Sequence, residues 1–175
     1  MKLRLIPILA VLLLMQGCGG KDVVPTSGTV TVTNELFGSG PYYAMGFSFA
    51  AADLVSTLTE PYDIDIKAGS LTTGGPTEAF LSANTLDPSF ALKGEYGTES
   101  EAISAFKALT SVGAASYIEL AAPLKVNQVW VVRTEEERYA KIRIIEVTLD
   151  LAGEDPSAAC KFEWVFQPDG STQFP

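Results

Sequence analysis

The sequence predicts a mainly β fold, an antiparallel β-sheet or sandwich domain with one covering α-helix, placed after an N-terminal signal segment. Three observations predict it. Apolar residues recur at period two in several separate runs, the spacing of half-buried strands. Gly, Pro and Asp-Gly punctuation divides those runs. Only one stretch combines helical spacing with signals for both ends. The organisation expected is residues 1–17 as leader, 18–27 as tether and 28–175 as one β-rich domain, a size that buries a real core.

The leader comes first. Lys2 and Arg4 make its start basic, Leu5 to Met15 form an apolar run, and Gly17 stands just before Cys18. This is the composition of a secretory signal, and the Met15-Gln16-Gly17-Cys18 ending resembles that of a bacterial lipoprotein. The run is shorter than the roughly 20 residues of a membrane-spanning helix and is interrupted by Pro7. The expectation is removal of residues 1–17 and acylation (palmitate included) of Cys18. At about 0.8 kcal/mol per buried CH₂, two or more chains hold a protein in a membrane. Gly19 follows the cysteine in place of the Asp associated with inner-membrane retention, so the resemblance implies the outer membrane, its side left open. A short polar tether through Gly20, Lys21 and Asp22 leads to Pro25.

Gly28 to Thr33 alternates Thr and Val, an opening strand with Val30 and Val32 inward. After a turn at Gly38, Gly40 and Pro41, Tyr43, Met45, Phe47 and Phe49 recur at period two and predict a central strand. Tyr62 to Lys67 reads as another strand, followed by an irregular stretch through Gly69, Gly74, Gly75 and Pro76. Phe80-Leu81 and Phe90 to Leu92 predict short strands about an Asp87-Pro88 turn. Thr98 and Glu101 have capping-box spacing and Ala102, Ile103, Phe106 and Leu109 an apolar stripe, which predicts a helix from Glu99 to Ser111 ended by Gly113. Tyr117 to Leu120 returns to strand until Pro123. Val126 to Arg133 and Tyr139 to Leu149 predict a long hairpin about the solvated turn Glu135-Glu136-Glu137. Adjacent Ile144 and Ile145 require a bulge or burial on both faces. A final strand places Cys160, Phe162, Trp164 and Phe166 on one side, passes the turn dipeptide Asp169-Gly170 and ends near Phe174.

Composition excludes more than it specifies. There is no histidine, the commonest general base and zinc ligand. Ser-His-Asp and Cys-His chemistry cannot be built, and Gly-x-Ser-x-Gly and P-loop patterns are missing. Removing the leader shifts the formal charge from −9 to −11, a surface that repels nucleic acid. With Cys18 acylated, Cys160 is the one remaining thiol, read as a small core residue with no internal disulfide. Asp63-Ile64-Asp65 puts two carboxylates on one strand face, which serves either calcium or, more simply, a solvated sheet face; no metal is expected.

Certain segments together look familiar: Tyr43 to Phe49, Tyr62-Asp63-Ile64, Val129 to Thr134, Arg138 to Ile144, and Phe162 to Ser171. Their order resembles the HmuY-like haem-binding lipoproteins of Bacteroidetes. The resemblance implies a β-rich, lipid-anchored, non-enzymatic binding protein, with haem held between two axial His or Met side chains. Here Met45 is the single methionine after processing, the Gly of the hairpin turn is replaced by Glu, and no axial ligand carries over; tyrosine remains the alternative haem ligand. No cofactor is therefore expected, with haem as the one the family would bring.

The leading expectation is a binding or accessory module, its ligand sought at Tyr42, Tyr43 and Met45 beside the Gly38 to Pro41 turn. The alternatives are a structural partner in a cell-envelope assembly, contacted through a basic strip of Arg133, Lys141 and Arg143, and a two-carboxylate hydrolase.

Overall fold

The computed structural model describes residues 24–35, 45–56, 64–72, 74–152 and 156–175. Cys18, Tyr42, Tyr43, Tyr62 and Asp63 lie outside the described residues. The elements in order are β1 (Ser27–Thr33), β2 (Met45–Ser48), β3 (Asp53–Ser56), β4 (Lys67–Leu71), β5 (Glu78–Ser82), β6 (Phe90–Glu95), α1 (Glu99–Ala108), β7 (Leu120–Ala121), β8 (Gln128–Arg133), β9 (Tyr139–Asp150) and β10 (Ser157–Gln167).

An antiparallel five-stranded sheet in the order β1-β10-β9-β8-β6 carries the architecture. One face packs on β2-β3 and on the three-stranded sheet β4-β5-β7, and α1 lies on the other. β10 shows why: Ala158, Cys160, Phe162, Trp164 and Phe166 are buried at every second position, as the sequence pattern requires. Opposite them stand Ile142 and Ile144 of β9, and from the facing layer come Phe47, Phe49, Ile66 and Leu81. The β9–β10 register shifts at Lys161/Phe162, whose partners are Glu146 and Ile144, and Ile145 is left over. The expected bulge is therefore Ile145, and beyond it Val147 and Leu149 pack on the same core as Ile142 and Ile144.

The hairpin β8–β9 pairs Arg133 with Tyr139 and closes through Thr134 N–H to the Arg138 carbonyl, in the reverse direction of the strand, with Glu137 N–H on the Thr134 carbonyl at 3.0 Å. Glu137 sits at φ 58°, the left-handed region where a Cβ costs about 1–2 kcal/mol. Glu137→Gly relieves that strain and returns about 0.5–1 kcal/mol of it through a freer unfolded chain. The expected result is a net gain of up to about 1 kcal/mol, a rise of about 2 °C in the thermal midpoint, read by calorimetry.

Several expectations are corrected. The Phe47 strand is not central: β2 spans four residues and forms a two-stranded sheet with β3, apart from the five-stranded sheet. The chain leaves it at a turn with Ala52 at φ 54°, held by Asp65, whose carboxylate accepts the Phe49 N–H at 2.7 Å. That carboxylate thus serves a turn within the fold. Ile66 bridges to Phe47, but the regular strand begins only at Lys67. Gly69 belongs to this strand rather than to an irregular stretch, because the Phe80 ring of the paired strand occupies the space of a Cβ.

The helix starts as expected, with a capping box: Glu101 N–H donates to Thr98 Oγ1 at 3.3 Å and Thr98 N–H to Glu101 Oε2 at 3.0 Å. It ends at Ala108, not Ser111. Thr110 to Val112 instead pair with the C-terminal segment, Val112 N–H on the Thr172 carbonyl and Phe174 N–H on the Thr110 carbonyl, both at 2.9 Å. Those backbone groups cannot also serve a helix.

Candidate binding site

The three bases of the expected strip do not form a surface. Alternation places Lys141 and Arg143 on one face, but that face lies under α1, and they are only 3% and 6% exposed. Lys141 Nζ donates to the carbonyls of Phe106 and Leu109 at 3.0 and 2.9 Å, satisfying acceptors left open at the end of α1. The rings of Phe106 and Phe174 flank it at 5.0 and 5.4 Å. Desolvation lowers its pKa, and Glu163 opposes that effect. Arg143 is forked onto Glu163, with Nε and Nη2 each 2.9 Å from one oxygen. Arg133 stands apart over the Tyr117 ring at 4.6 Å and donates to the Pro88 carbonyl.

Lys141 therefore ties the sheet to the helix. Lys141→Met keeps the stem's packing but leaves two carbonyls without their donor. Allowing for the relief of a desolvated charge, the expected loss is about 2 kcal/mol, read from urea midpoints at neutral pH.

Met45 is half-buried opposite Ser56 at the start of β2. The Soret-active group implied by the resemblance needs axial donors in a pocket, and Met45, Tyr96, Tyr117 and Tyr139 line none of the cavities described below. Tyr117 Oη is buried without a hydrogen-bond partner among the described residues, and burial pushes its pKa up. The described residues thus do not fit haem ligation.

What the structure brings together instead lies along β1. Phe166 N–H donates to the Thr26 carbonyl and Asn34 N–H to the Ala158 carbonyl. These two bonds fix the parity of the ladder: the even residues Gly28, Val30 and Val32 bond to β10. The N–H and C=O groups of Ser27, Thr29 and Thr31 consequently point away from the sheet, and β1 is its terminal strand among the described residues. Ser27, Gly28, Thr29 and Thr31 are exposed.

A cavity opens on each face of this edge. On the α1 side a space of about 400 Å³ is lined by Thr29, Phe106, Lys107, Lys141, Glu163 and Val165. On the opposite side about 340 Å³ lies among Val30, Phe47, Ala52, Asp53 and Leu54. Ser27, Gly28, Thr29 and Trp164 border both. The second glycine of note is here: a Cβ on Gly28 would come within 3.3 Å of the Trp164 ring, so the bare backbone lets that ring reach the strand. Both volumes fall in the range of small-ligand or side-chain pockets, about 300–1,000 Å³.

A third cleft, about 230 Å³, gathers Asp87, Glu135 and Glu137 beside Arg133. Its carboxylates are exposed on a loop and a hairpin turn, and its volume is below the usual pocket range. Among the described residues no cluster of three or more metal-ligating side chains occurs.

Sequence reading missed the β1 edge because strand pairing is non-local. One signal was present: Ser27–Thr33 contains no charge, no proline and no bulge, the usual protections of an edge strand. No protein-family model matches the chain, and no curated protein matches it.

Proposed function

We propose that this chain is a non-enzymatic lipoprotein, anchored through acylated Cys18 in the outer membrane of a bacterial cell, that works as a binding module through its β1 edge. The observation that carries the binding reading is the pair of cavities flanking one uncharged strand whose outward backbone groups are free among the described residues. The leader ending at Cys18 supports the anchor. In this reading the chain is a HmuY-like relative without axial haem ligands, and its ligand is met by backbone and cavity walls. The third, acid-lined cleft favours no catalytic role, since it offers exposed carboxylates and little enclosure.

Expression of the full chain in a Gram-negative host, followed by mass spectrometry of the membrane fraction, tests the anchor. A mature N-terminus at Cys18 carrying acyl mass supports it, and a soluble chain retaining residues 1–17 overturns it. Haemin titration of the same protein is expected to give no saturable shifted Soret band; such a band, removed by Met45→Ala or by a tyrosine substitution, would overturn the haem-free reading.

A further inference from the structure

We propose that the β1 edge takes up an extended peptide segment as an added strand, one that alternates acidic and apolar side chains. The inference deepens the binding reading above and rests on it. An added strand bonds through its backbone to the outward groups of the edge, and its side chains then point alternately to the two faces. Ser27, Thr29 and Thr31 present those groups, and the cavities lie one on each face of the same three-residue stretch, Ser27 to Thr29. Successive residues of an incoming strand therefore enter different surroundings.

The two surroundings differ in charge. On the α1 side Lys107 is exposed at the cavity, and the buried Lys141 ammonium keeps one N–H beyond the two it gives to carbonyls. The acid in the same wall, Glu163, is committed to Arg143. A carboxylate entering here gains a cationic partner on a chain whose formal charge is −9. On the other side Val30, Phe47, Ala52 and Leu54 offer apolar walls. Asp53, which bonds its carboxylate to the Leu54 N–H at 2.8 Å, stands there and disfavours a second acid. The pattern is thus acidic toward α1 and apolar toward β2-β3.

A second copy of β1 does not meet this pattern. Ser27–Thr33 carries no acidic residue, so its pairing with itself would leave Lys107 without a partner. The occupant is accordingly a different segment with carboxylates at every second position.

The test uses the full chain in detergent and a labelled seven-residue peptide alternating glutamate and valine, with its lysine-for-glutamate counterpart as control, followed by fluorescence anisotropy. Saturable binding of the glutamate peptide is expected, at least about tenfold tighter than the lysine peptide. Thr29→Pro removes an outward N–H that makes no ladder bond to β10, which an edge strand tolerates, and is expected to abolish binding. Lys107→Glu, on the exposed helix surface, is expected to weaken the glutamate peptide about tenfold and to reverse the preference. No saturable binding by the wild type, equal binding of both peptides, or undiminished binding by a folded Thr29→Pro variant overturns the proposal. So does a concentration-dependent dimer, lost in Thr29→Pro, without peptide binding, which would assign the edge to a second copy. Acyl mass on Cys18 is read separately, so failure of the anchor and failure of the strand site are distinguishable.

Discussion

Phe47→Ala is expected to lower the unfolding free energy by about 4 kcal/mol, within the 3–5 kcal/mol typical of emptying a buried aromatic position. Phe47 is essentially unexposed, and its ring lies 5.3 Å from Phe49, 5.9 Å from Phe162 and 5.3 Å from Trp164. It is also a backbone junction: Phe47 N–H donates to the Ile66 carbonyl at 2.8 Å, and its own carbonyl accepts from Asp65 and Ile66. Truncation therefore removes ring contacts between the two layers while the neighbours, pinned by those bonds, cannot collapse into the space. Urea unfolding followed by tryptophan fluorescence reads the loss. Phe47→Leu, which fills much of the volume, is expected to cost roughly half as much; equal losses would mean that the aromatic contacts, not the volume, carry the energy.

The second large effect appears in alkali. Burial pushes the Cys160 thiol up from 9.0 to about 12. An acid whose folded pKa is raised holds its proton longer in the folded state than in the unfolded one. Below about pH 9 both states are protonated and the contribution is fully present; from about 9 to about 12 the unfolded chain alone loses the proton, and stability falls by about 4 kcal/mol in all. Raised Tyr117 acts in the same direction. Lys67, Lys93 and Lys141, lowered by desolvation, act oppositely, because the unfolded state binds more protons between their folded pKa values and about 10.4. These groups are common to wild type and to Cys160→Ala and cancel in the comparison. Between about pH 8 and 10.5 the wild type is expected to lose about 2 kcal/mol more than Cys160→Ala, measured by urea unfolding. Parallel pH profiles would show that the thiol is more solvated than its burial indicates.

Where a feature depends on neighbours in sequence, the residues announced it. The alternation of Cys160 to Phe166, the Ile144-Ile145 bulge and the Thr98/Glu101 cap are all local, and the structure reproduces them. Where a feature depends on distant partners, the residues misled. Period-two aromatics around Phe47 describe a strand with a buried face but not its position in a sheet. The helix end depends on Thr172 to Phe174, more than sixty residues downstream, which claim Thr110 to Val112. Lys141 and Arg143 share a face as alternation requires, yet only the docking of α1 turns that face inward. Of the expected site residues, Tyr42 and Tyr43 fall outside the described residues. The edge at Ser27 to Thr31 emerged from hydrogen-bond parity, which no single sequence displays.

The bulge at Ile145 marks the point where β9 changes company. Its first half is gripped from both sides, by β8 as far as the Val129–Arg143 pair and by β10, whereas beyond Ile144, among the described residues, only β10 continues alongside. Deleting Ile145 from the pattern would leave Ala140, Ile142, Ile144, Val147 and Leu149 in unbroken alternation, so the extra residue is not there to correct the order of apolar positions. Its effect is curvature: a bulge adds twist to its strand. The far end of β9 and β10 is thereby free to bend toward β4, where Ser70 Oγ donates to the Pro156 carbonyl at 2.9 Å. One supernumerary isoleucine thus divides β9 into a half held inside the main sheet and a half that runs with β10 alone, among the described residues, toward the β4 layer.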